Sequence, residues 1–193
     1  CWLARKTRCP IRYLEDRREH LTAAANAREH HYTVTAYTDQ RGKILALDAV
    51  VHVDVGAYSV WPFTSCLEAA QAGGNLPGPY IIPTYRVHTY TMATNKPPLS
   101  PYRGVARPSV CFAMDLTIDA IARAVGREPY AVRLENLVPA SAMPYTNITK
   151  KFFDSGDYPQ AMRRALDAID IASVRARQRT KEADGRLIGV GLS

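Results

Sequence analysis

The sequence lacks the features that mark several large classes of protein. Its longest apolar runs fall far short of the ~20 residues that a membrane-spanning helix needs, and its first residues contain no sustained apolar segment of the kind that directs secretion. Internal repeats and low-complexity tracts are also absent. We therefore predict a globular protein without a membrane span, and a hydrophobic fraction of 47% agrees with that class.

Cysteine is scarce and scattered. Cys1, Cys9, Cys66 and Cys111 form no C-x-x-C pair and have no matching histidine pattern, which argues against a metal site built on them. Cysteines without a framework of regular spacings indicate a reducing compartment, which we take to be the cytoplasm. Cys111 falls within a predicted helix, where we expect it to be a small core residue.

Positive charge is in excess, but it is dispersed along the chain. There are 25 lysines and arginines against 18 acidic residues, which gives a net charge of +7. Most of the basic residues lie in 5–18 and 163–186, where acids such as Glu15 and Glu182 are interleaved with them, and no DNA- or RNA-binding motif accompanies them. We interpret them as a solvated face or a contact with an acidic partner subunit, and we predict no nucleic-acid binding.

The clearest local pattern is a β-hairpin over residues 30–55. Residues 30–38 alternate with strand period, and Asp39–Gly42 has the composition of a turn. The following strand has apolar residues at a strict spacing of two, which predicts one buried face: Leu45, Leu47, Ala49, Val51, Val53 and Val55. His52 and Asp54 point to the opposite face, where we interpret them as solvated or hydrogen-bonded groups and not as a catalytic pair.

Shorter elements are predicted on either side of the hairpin. Residues 11–16 and 85–91 have strand patterns, and a helix is predicted over residues 65–72. After Pro108 the period changes to that of a helix whose inner face carries Val110, Met114, Ile118, Ile121 and Val125 and which stops at Gly126. A second helix covers residues 130–137. A third follows Asp157 as its N-cap and has Met162, Leu166 and Ile169 on its inner face.

Strands followed by helices predict an α+β fold, a mixed or antiparallel sheet with packed helices. Residues 1–108 form the strand-rich part, and residues 109–193 form a helix-rich part that ends in a strand over 187–193. The sequence opens within an apparent helix and closes on that strand, so we expect both parts to be a fragment of a longer chain.

The two parts meet at residues 101–108, here called the arginine loop. Arg103 and Arg107 flank Gly104, and a helix opens immediately afterwards. Backbone N–H groups and the dipole at a helix start attract negative charge, and glycine permits close approach of a ligand. The pattern suits an anionic or oxygen-rich ligand, although an ordinary turn before a helix is the alternative reading.

Four segments in this order resemble the large, molybdopterin-binding subunit of the molybdenum hydroxylases, a family that includes xanthine dehydrogenase, aldehyde oxidase and aerobic carbon monoxide dehydrogenase. The segments are 9–20 (CPIRYLEDRREH), 42–58 (GKILAL to DVGAY), 102–108 (YRGVARP), and 130–137 (YAVRLENL) with Tyr145 and 154–158 (DSGDY). The resemblance covers nearly the whole chain and implies a part of a larger molybdopterin-binding domain.

The resemblance also implies roles for individual residues. Tyr102, Arg103 and Gly104 would contact the cofactor, so that the arginine loop faces it, and Val105 and Gln71 would contact the substrate. Carbon monoxide dehydrogenases have a copper-holding cysteine where this sequence has Gly104, which disfavours copper chemistry. Purine-oxidising members have a stacking phenylalanine at the place of Val105 and a substrate-binding arginine in the region of residues 68–71, so a xanthine-type substrate is not expected.

The function that the resemblance implies is hydroxylation of an aldehyde or an N-heteroaromatic compound with water as the oxygen source. The cofactor would be molybdopterin-bound molybdenum in its cytosine dinucleotide form, with a 2Fe–2S cluster and FAD on partner chains or domains. No catalytic or metal-ligating residue is assigned within the chain, because the general-base glutamate should lie beyond Ser193 and a glycine-rich loop before Cys1.

The partners implied are an iron–sulfur small subunit, an FAD-binding medium subunit and the remainder of the large subunit, assembled as a cytoplasmic dimer of heterotrimers. The alternative is a non-catalytic scaffold or binding module of this fold that has lost the cofactor.

Overall fold

A three-stranded mixed sheet lies at the centre of the fold. The computed structural model describes residues 1–27, 29–61, 63, 66–180 and 185–192. Strand β1 (His30–Thr38) pairs antiparallel with β2 (Ile44–Gly56), and β3 (Thr84–Ala93) pairs in parallel with the other edge of β2. The predicted hairpin is therefore confirmed, and the sheet is of the mixed kind.

A β-bulge near the start of β2 changes which side chains are buried. Tyr37 pairs with Ala46 whereas Thr38 pairs with Ile44, so that Leu45 is the extra residue on its strand. Ile44 is fully buried and Leu45 is 48% exposed. The prediction that Leu45 lies on the buried face is wrong, because a bulge moves the alternation by one residue. From Leu47 onwards the predicted alternation is confirmed.

The helices of the described residues lie before, between and after the strands. They are α1 (Trp2–Thr7), α2 (Arg17–Ala23), α3 (Cys66–Asn75), α4 (Arg107–Val125), α5 (Pro129–Asn136), α6 (Tyr158–Ala168) and α7 (Ile171–Thr180), with a short pair of strands, β4 (Tyr145–Thr146) and β5 (Phe152–Phe153), before α6. None of these helices is long and apolar enough to cross a bilayer. The helix predicted over residues 65–72 corresponds to α3, and Ser65 lies outside the described residues.

Local signals account for several helix ends. Asp16 and Glu19 form a reciprocal capping box at the start of α2. Gly126 ends α4 in the left-handed region, with φ of 66°. The Asp157 side chain accepts a hydrogen bond from the Gln160 N–H at 2.9 Å, which confirms the predicted N-cap of α6.

Four other expectations are wrong. Residues 11–16 form no strand and lead as an exposed segment into the capping box of α2. Cys111 is exposed, because on a helix it points about 100° away from the buried Val110. Ile169 is 47% exposed, because α6 ends one residue before it. Of the strand predicted over 187–193, residues 187–192 form no strand and Ser193 lies outside the described residues. Two carbonyls of this segment accept hydrogen bonds from the side chains of Gln178 and Arg133 instead.

One apolar core joins the strand-rich and helix-rich parts. Helices α3 and α4 pack against the sheet, and α5 packs against α4. The buried cluster includes Val51 and Val53 from β2, Ile118 from α4 and Val132 from α5. The change of composition at residue 108 is therefore not a boundary between two cores, and the arrangement agrees with the predicted α+β class.

A buried amide ties the hairpin to α5. Asn136 is 2% exposed, and its Oδ1 accepts a hydrogen bond from the Ile44 N–H at 2.8 Å. Its Nδ2 donates to the Gly42 carbonyl at 2.9 Å and to the Val132 carbonyl at 2.8 Å. The side chain thus satisfies two backbone groups where the hairpin turn enters β2.

Substituting Asn136→Ala should lower the free energy of unfolding by about 2–4 kcal/mol, because it leaves the Ile44 N–H and the Gly42 carbonyl buried without their partner. Asn75→Ala is the matched control, since its amide bonds to Gln71 of the same helix and to no other side chain among the described residues, and it should cost less than about 1 kcal/mol. Urea denaturation of the 193-residue chain measures both values, and equal losses would contradict the role of Asn136.

Gly56 combines a left-handed backbone with a very close neighbour. Its φ is 72°, and a Cβ placed there would lie 2.7 Å from the Pro97 carbonyl carbon and 2.8 Å from the Lys96 oxygen, both backbone atoms. Gly126 has a similar φ of 66°, but a Cβ there would meet nothing within 4 Å. Alanine at position 126 would therefore suffer backbone strain alone, whereas alanine at position 56 would also collide with its neighbours.

We expect Gly126→Ala to cost roughly 1 kcal/mol of unfolding free energy through backbone strain alone. Gly56→Ala should cost about 3 kcal/mol or more, since the strand end must also move away from residues 96–97. Thermal and urea midpoints of the two variants test this difference. If the Gly56→Ala protein is as stable as the Gly126→Ala protein, residues 96–97 move aside at no measurable cost and the prediction is wrong.

Candidate functional site

The arginine loop forms a tight turn that leads into α4. The Val105 N–H donates to the Tyr102 carbonyl at 2.6 Å, and the Arg107 N–H donates to the Gly104 carbonyl at 2.9 Å. Gly104 has a φ of 89°, and Val105 has a φ of 53°. Two consecutive residues therefore have left-handed backbone, and only the first of them is a glycine.

Val105 is the unusual member of this pair. A β-branched residue in the left-handed region is a genuine outlier, and that conformation costs ~1–2 kcal/mol. Such strain persists only where the surrounding structure holds it, and it is concentrated at binding and catalytic sites. The neighbouring Ala106 is fully buried and Val110 is 5% exposed, so the chain after Val105 is anchored in the core.

The side chains of the loop point outward above this anchor. Tyr102 is 63% exposed, and Arg103 and Arg107 are exposed as well. The Arg107 Nη1 lies 3.5 Å from the Gly104 carbonyl oxygen, so this guanidinium stays close to the loop backbone. The loop therefore presents two cationic groups beside a glycine, and it is not sealed in apolar packing.

The start of α4 contributes fewer backbone donors than its sequence indicates. The Arg107 N–H is used by the Gly104 carbonyl, Pro108 has no N–H, and the Val110 N–H bonds to the Ala106 carbonyl. The first two helical positions, Arg107 and Pro108, therefore offer no N–H group to a ligand.

The structure places Gln71 on a different element from the other predicted site residues. It is half-buried on α3, where its Oε1 accepts from the Asn75 Nδ2 at 2.7 Å and its carbonyl accepts from the same nitrogen at 2.6 Å. Tyr102, Arg103, Gly104 and Val105 share one turn of the chain, whereas the side chain of Gln71 accepts its hydrogen bond from Asn75 of the same helix.

Sequence reasoning missed a buried polar cluster beneath α3. The Glu68 side chain is 1% exposed and lies near Tyr32, and burial together with the Glu68 charge raises the pKa of Tyr32. The Tyr32 hydroxyl is 2.9 Å from His30 Nδ1, and the Tyr85 hydroxyl donates to the Gly73 carbonyl at 2.8 Å. The available signal was an acidic residue on the same helix face as Ala69 and Ala72, which are also buried.

Comparisons with known proteins identify relatives of this geometry. Residues 1–137 match the molybdopterin cofactor-binding domain family. Subunit gamma of the 6-hydroxypseudooxynicotine dehydrogenase complex of Paenarthrobacter nicotinovorans is 32% identical over 99% of this chain and 24% of its own length. The carbon monoxide dehydrogenase large chain of Hydrogenophaga pseudoflava is 30% identical over 95% of this chain and 23% of its own length.

A solved structure has the same fold. Quinoline 2-oxidoreductase from Pseudomonas putida 86 superposes with a TM-score of 0.86 and 30% sequence identity, over 93% of this chain and 23% of the other. The 193-residue chain thus spans about a quarter of the length of the relatives that it matches.

Because the backbone of Val105 is strained, we predict that its substitution by glycine does not destabilise the protein. Val105→Gly should leave the free energy of unfolding unchanged or raise it by up to about 1 kcal/mol. Glycine relieves the strain of the left-handed backbone, and this gain is partly offset by the greater conformational freedom of glycine in the unfolded chain. Val110→Gly is the control, and it should lose about 3 kcal/mol through lost burial and helix propensity. Urea denaturation measures both, and a similar loss at the two positions would contradict the strain.

Proposed function

The chain belongs to the molybdopterin cofactor-binding domain family, and from that premise we propose that it is a portion of the molybdenum-cofactor-binding subunit of a hydroxylating oxidoreductase. The substrate is an aldehyde or an N-heteroaromatic compound, and water is the oxygen source. The observation that carries the proposal is the family match over residues 1–137, supported by relatives at 30% identity or more along nearly the whole chain. The active enzyme requires the rest of the polypeptide.

The arginine loop is the proposed cofactor contact. Its outward side chains are cationic or polar, and the absence of a Cβ at Gly104 leaves its backbone open to close approach. These properties fit a pterin that carries phosphate and an oxygen-ligated metal, and the bound group supplies the two-electron redox chemistry. Tyr102 and Arg103 would hold this group, and the positive charge of the Arg103 guanidinium would favour its anionic oxygens.

Positions 104 and 105 and the names of the relatives support the proposed substrate class. Gly104 has no thiolate with which to hold copper, although carbon monoxide dehydrogenase is among the similar proteins. Val105 is smaller than the stacking phenylalanine that the family resemblance gives for purine-oxidising members at this position. Relatives whose names refer to 6-hydroxypseudooxynicotine, nicotine and quinoline support a nitrogen-containing aromatic substrate. Val105 and Gln71 are the proposed substrate contacts.

The remaining parts of the enzyme are proposed by analogy with the relatives. Two of these are named as a subunit of a complex and as a large chain, which supports assembly from several polypeptides. We assign to them an iron–sulfur small subunit with a 2Fe–2S cluster and a medium subunit with FAD, joined as a dimer of heterotrimers in the cytoplasm. The cytosine dinucleotide form of the cofactor belongs to the same proposal.

A scaffold of this fold that has lost its cofactor is the competing function. Metal analysis and an ultraviolet–visible spectrum of the natively purified complex distinguish the two. Molybdenum together with iron–sulfur and flavin absorption supports the oxidoreductase, and a colourless complex without molybdenum supports the scaffold.

The role of Arg103 is tested in the same complex. We expect Arg103→Ala to lower turnover at least tenfold, equivalent to ~1.4 kcal/mol of transition-state stabilisation, or to deplete molybdenum. Arg123→Ala removes the same charge from the last turn of α4, where the side chain is also exposed, and should change neither property. Steady-state kinetics and molybdenum content are the measurements, and normal values for Arg103→Ala would refute the assignment.

A further inference from the structure

An open apolar groove runs between β1 and α4. Its volume is about 680 Å³, and one wall is formed by the half-buried side chains of Tyr32, Val34 and Ala36. Phe112 and Leu116 on α4 form the other wall, and they are 68% and 49% exposed. Large apolar side chains that face each other across an open groove mark a surface for interaction or binding.

The chemistry of the groove limits what that segment is. Its lining includes two histidines but no lysine, arginine, aspartate or glutamate, so it does not select a charged partner even though the chain as a whole is strongly basic. A compact small-molecule site would bring a few polar groups to one point. The polar lining groups are instead spread along the groove, from Ser109 at one end to Thr38 at the other.

The backbone beside the groove favours an extended occupant. Strand β1 is at the edge of the sheet that the described residues form. An edge strand offers a row of backbone N–H and C=O groups to a further strand. Such a strand would continue the sheet and turn every second side chain onto Phe112 and Leu116. The side chains of β3, the other edge strand of the described sheet, are mainly exposed.

The dimensions agree with a strand of ordinary length. The groove follows α4 from Ser109 to Ala124, which corresponds to ~22 Å at 1.5 Å per residue. A strand of about seven residues covers that distance at ~3.3 Å per residue. It would need three or four apolar side chains on one face and no charge on that face.

We propose that the groove seats a β-strand from the remainder of the same polypeptide, added to the free edge of β1, with alternating apolar side chains over Phe112 and Leu116. The relatives are about four times as long as the segment that they share with this chain, so that the rest of the polypeptide is ample to supply the strand. The proposal rests on the family and on the groove, and it does not depend on the cofactor or the substrate.

Site-specific photo-crosslinking in the full-length subunit, purified in its native complex, tests the proposal. Phe112 is replaced by p-benzoylphenylalanine, a larger aromatic residue at an exposed position, and Phe152, which is also 68% exposed but lies outside the groove lining, receives the same replacement as a control. After irradiation, denaturing gel electrophoresis shows whether the product has the mass of one large subunit, and mass spectrometry identifies the crosslinked peptide.

An intramolecular product supports the proposal if the peptide lies outside the 193 residues, has alternating apolar residues, and differs from the product of the Phe152 position. A product with twice the mass of the large subunit would identify a second copy as the occupant, and a product with the added mass of another subunit would identify that partner. Either of these results, or no product at Phe112, would overturn the proposal. None of the outcomes depends on molybdenum content, so its failure is distinguishable from failure of the proposed function.

Discussion

The buried side chains of α5 hold the hairpin and α4 in one arrangement, and the rest of the structure depends on them. The Asn136 amide bonds to the backbone on both sides of the hairpin turn, at Gly42 and Ile44. One turn earlier, the Arg133 guanidinium is 1% exposed and pairs with Asp115 and Asp119 of α4 at 2.9 and 2.8 Å. Such buried groups contribute little net energy, but they are costly to leave without partners, and they therefore exclude other packings of the three elements.

This arrangement explains how the arginine loop retains its strained backbone. Helix α4 is fixed along its length by the sheet, α3 and α5, so the position at which the chain must enter the helix is also fixed. Ala106 and Val110 are buried at that entry, and the preceding residues must reach it from Leu99, which is buried as well. The left-handed conformations of Gly104 and Val105 are the local cost of joining these two anchored points. A loop held in this way keeps its shape when a ligand binds, which is the usual advantage of a site on a rigid scaffold.

The sequence allowed prediction of the parts of the fold in which neighbouring residues all favour one structure. The alternation from Leu47 to Val55, the stop of α4 at Gly126 and the capped start of α6 at Asp157 are of this kind. The bulge at Leu45 was not predictable, because Ile44 and Leu45 are both apolar and either can occupy the buried position. The absence of a strand over residues 11–16 depends on whether a partner edge is available, which is not a local property. At the candidate site, the chemistry of Arg103, Gly104 and Arg107 singled out the loop, and the family resemblance added Tyr102 and Val105. The left-handed φ of Val105 was not predictable, because it opposes the local preference of a β-branched residue.

Helix α4 links the candidate site to the apolar groove. Its first turn follows the cationic arginine loop, and one uncharged face of the same helix, from Ser109 to Ala124, lines the groove. Ser109 lies two residues after Arg107, and Phe112 follows within the next turn, so whatever packs on the groove also constrains the helix start that positions the loop. The loop and the groove therefore draw their rigidity from the same element.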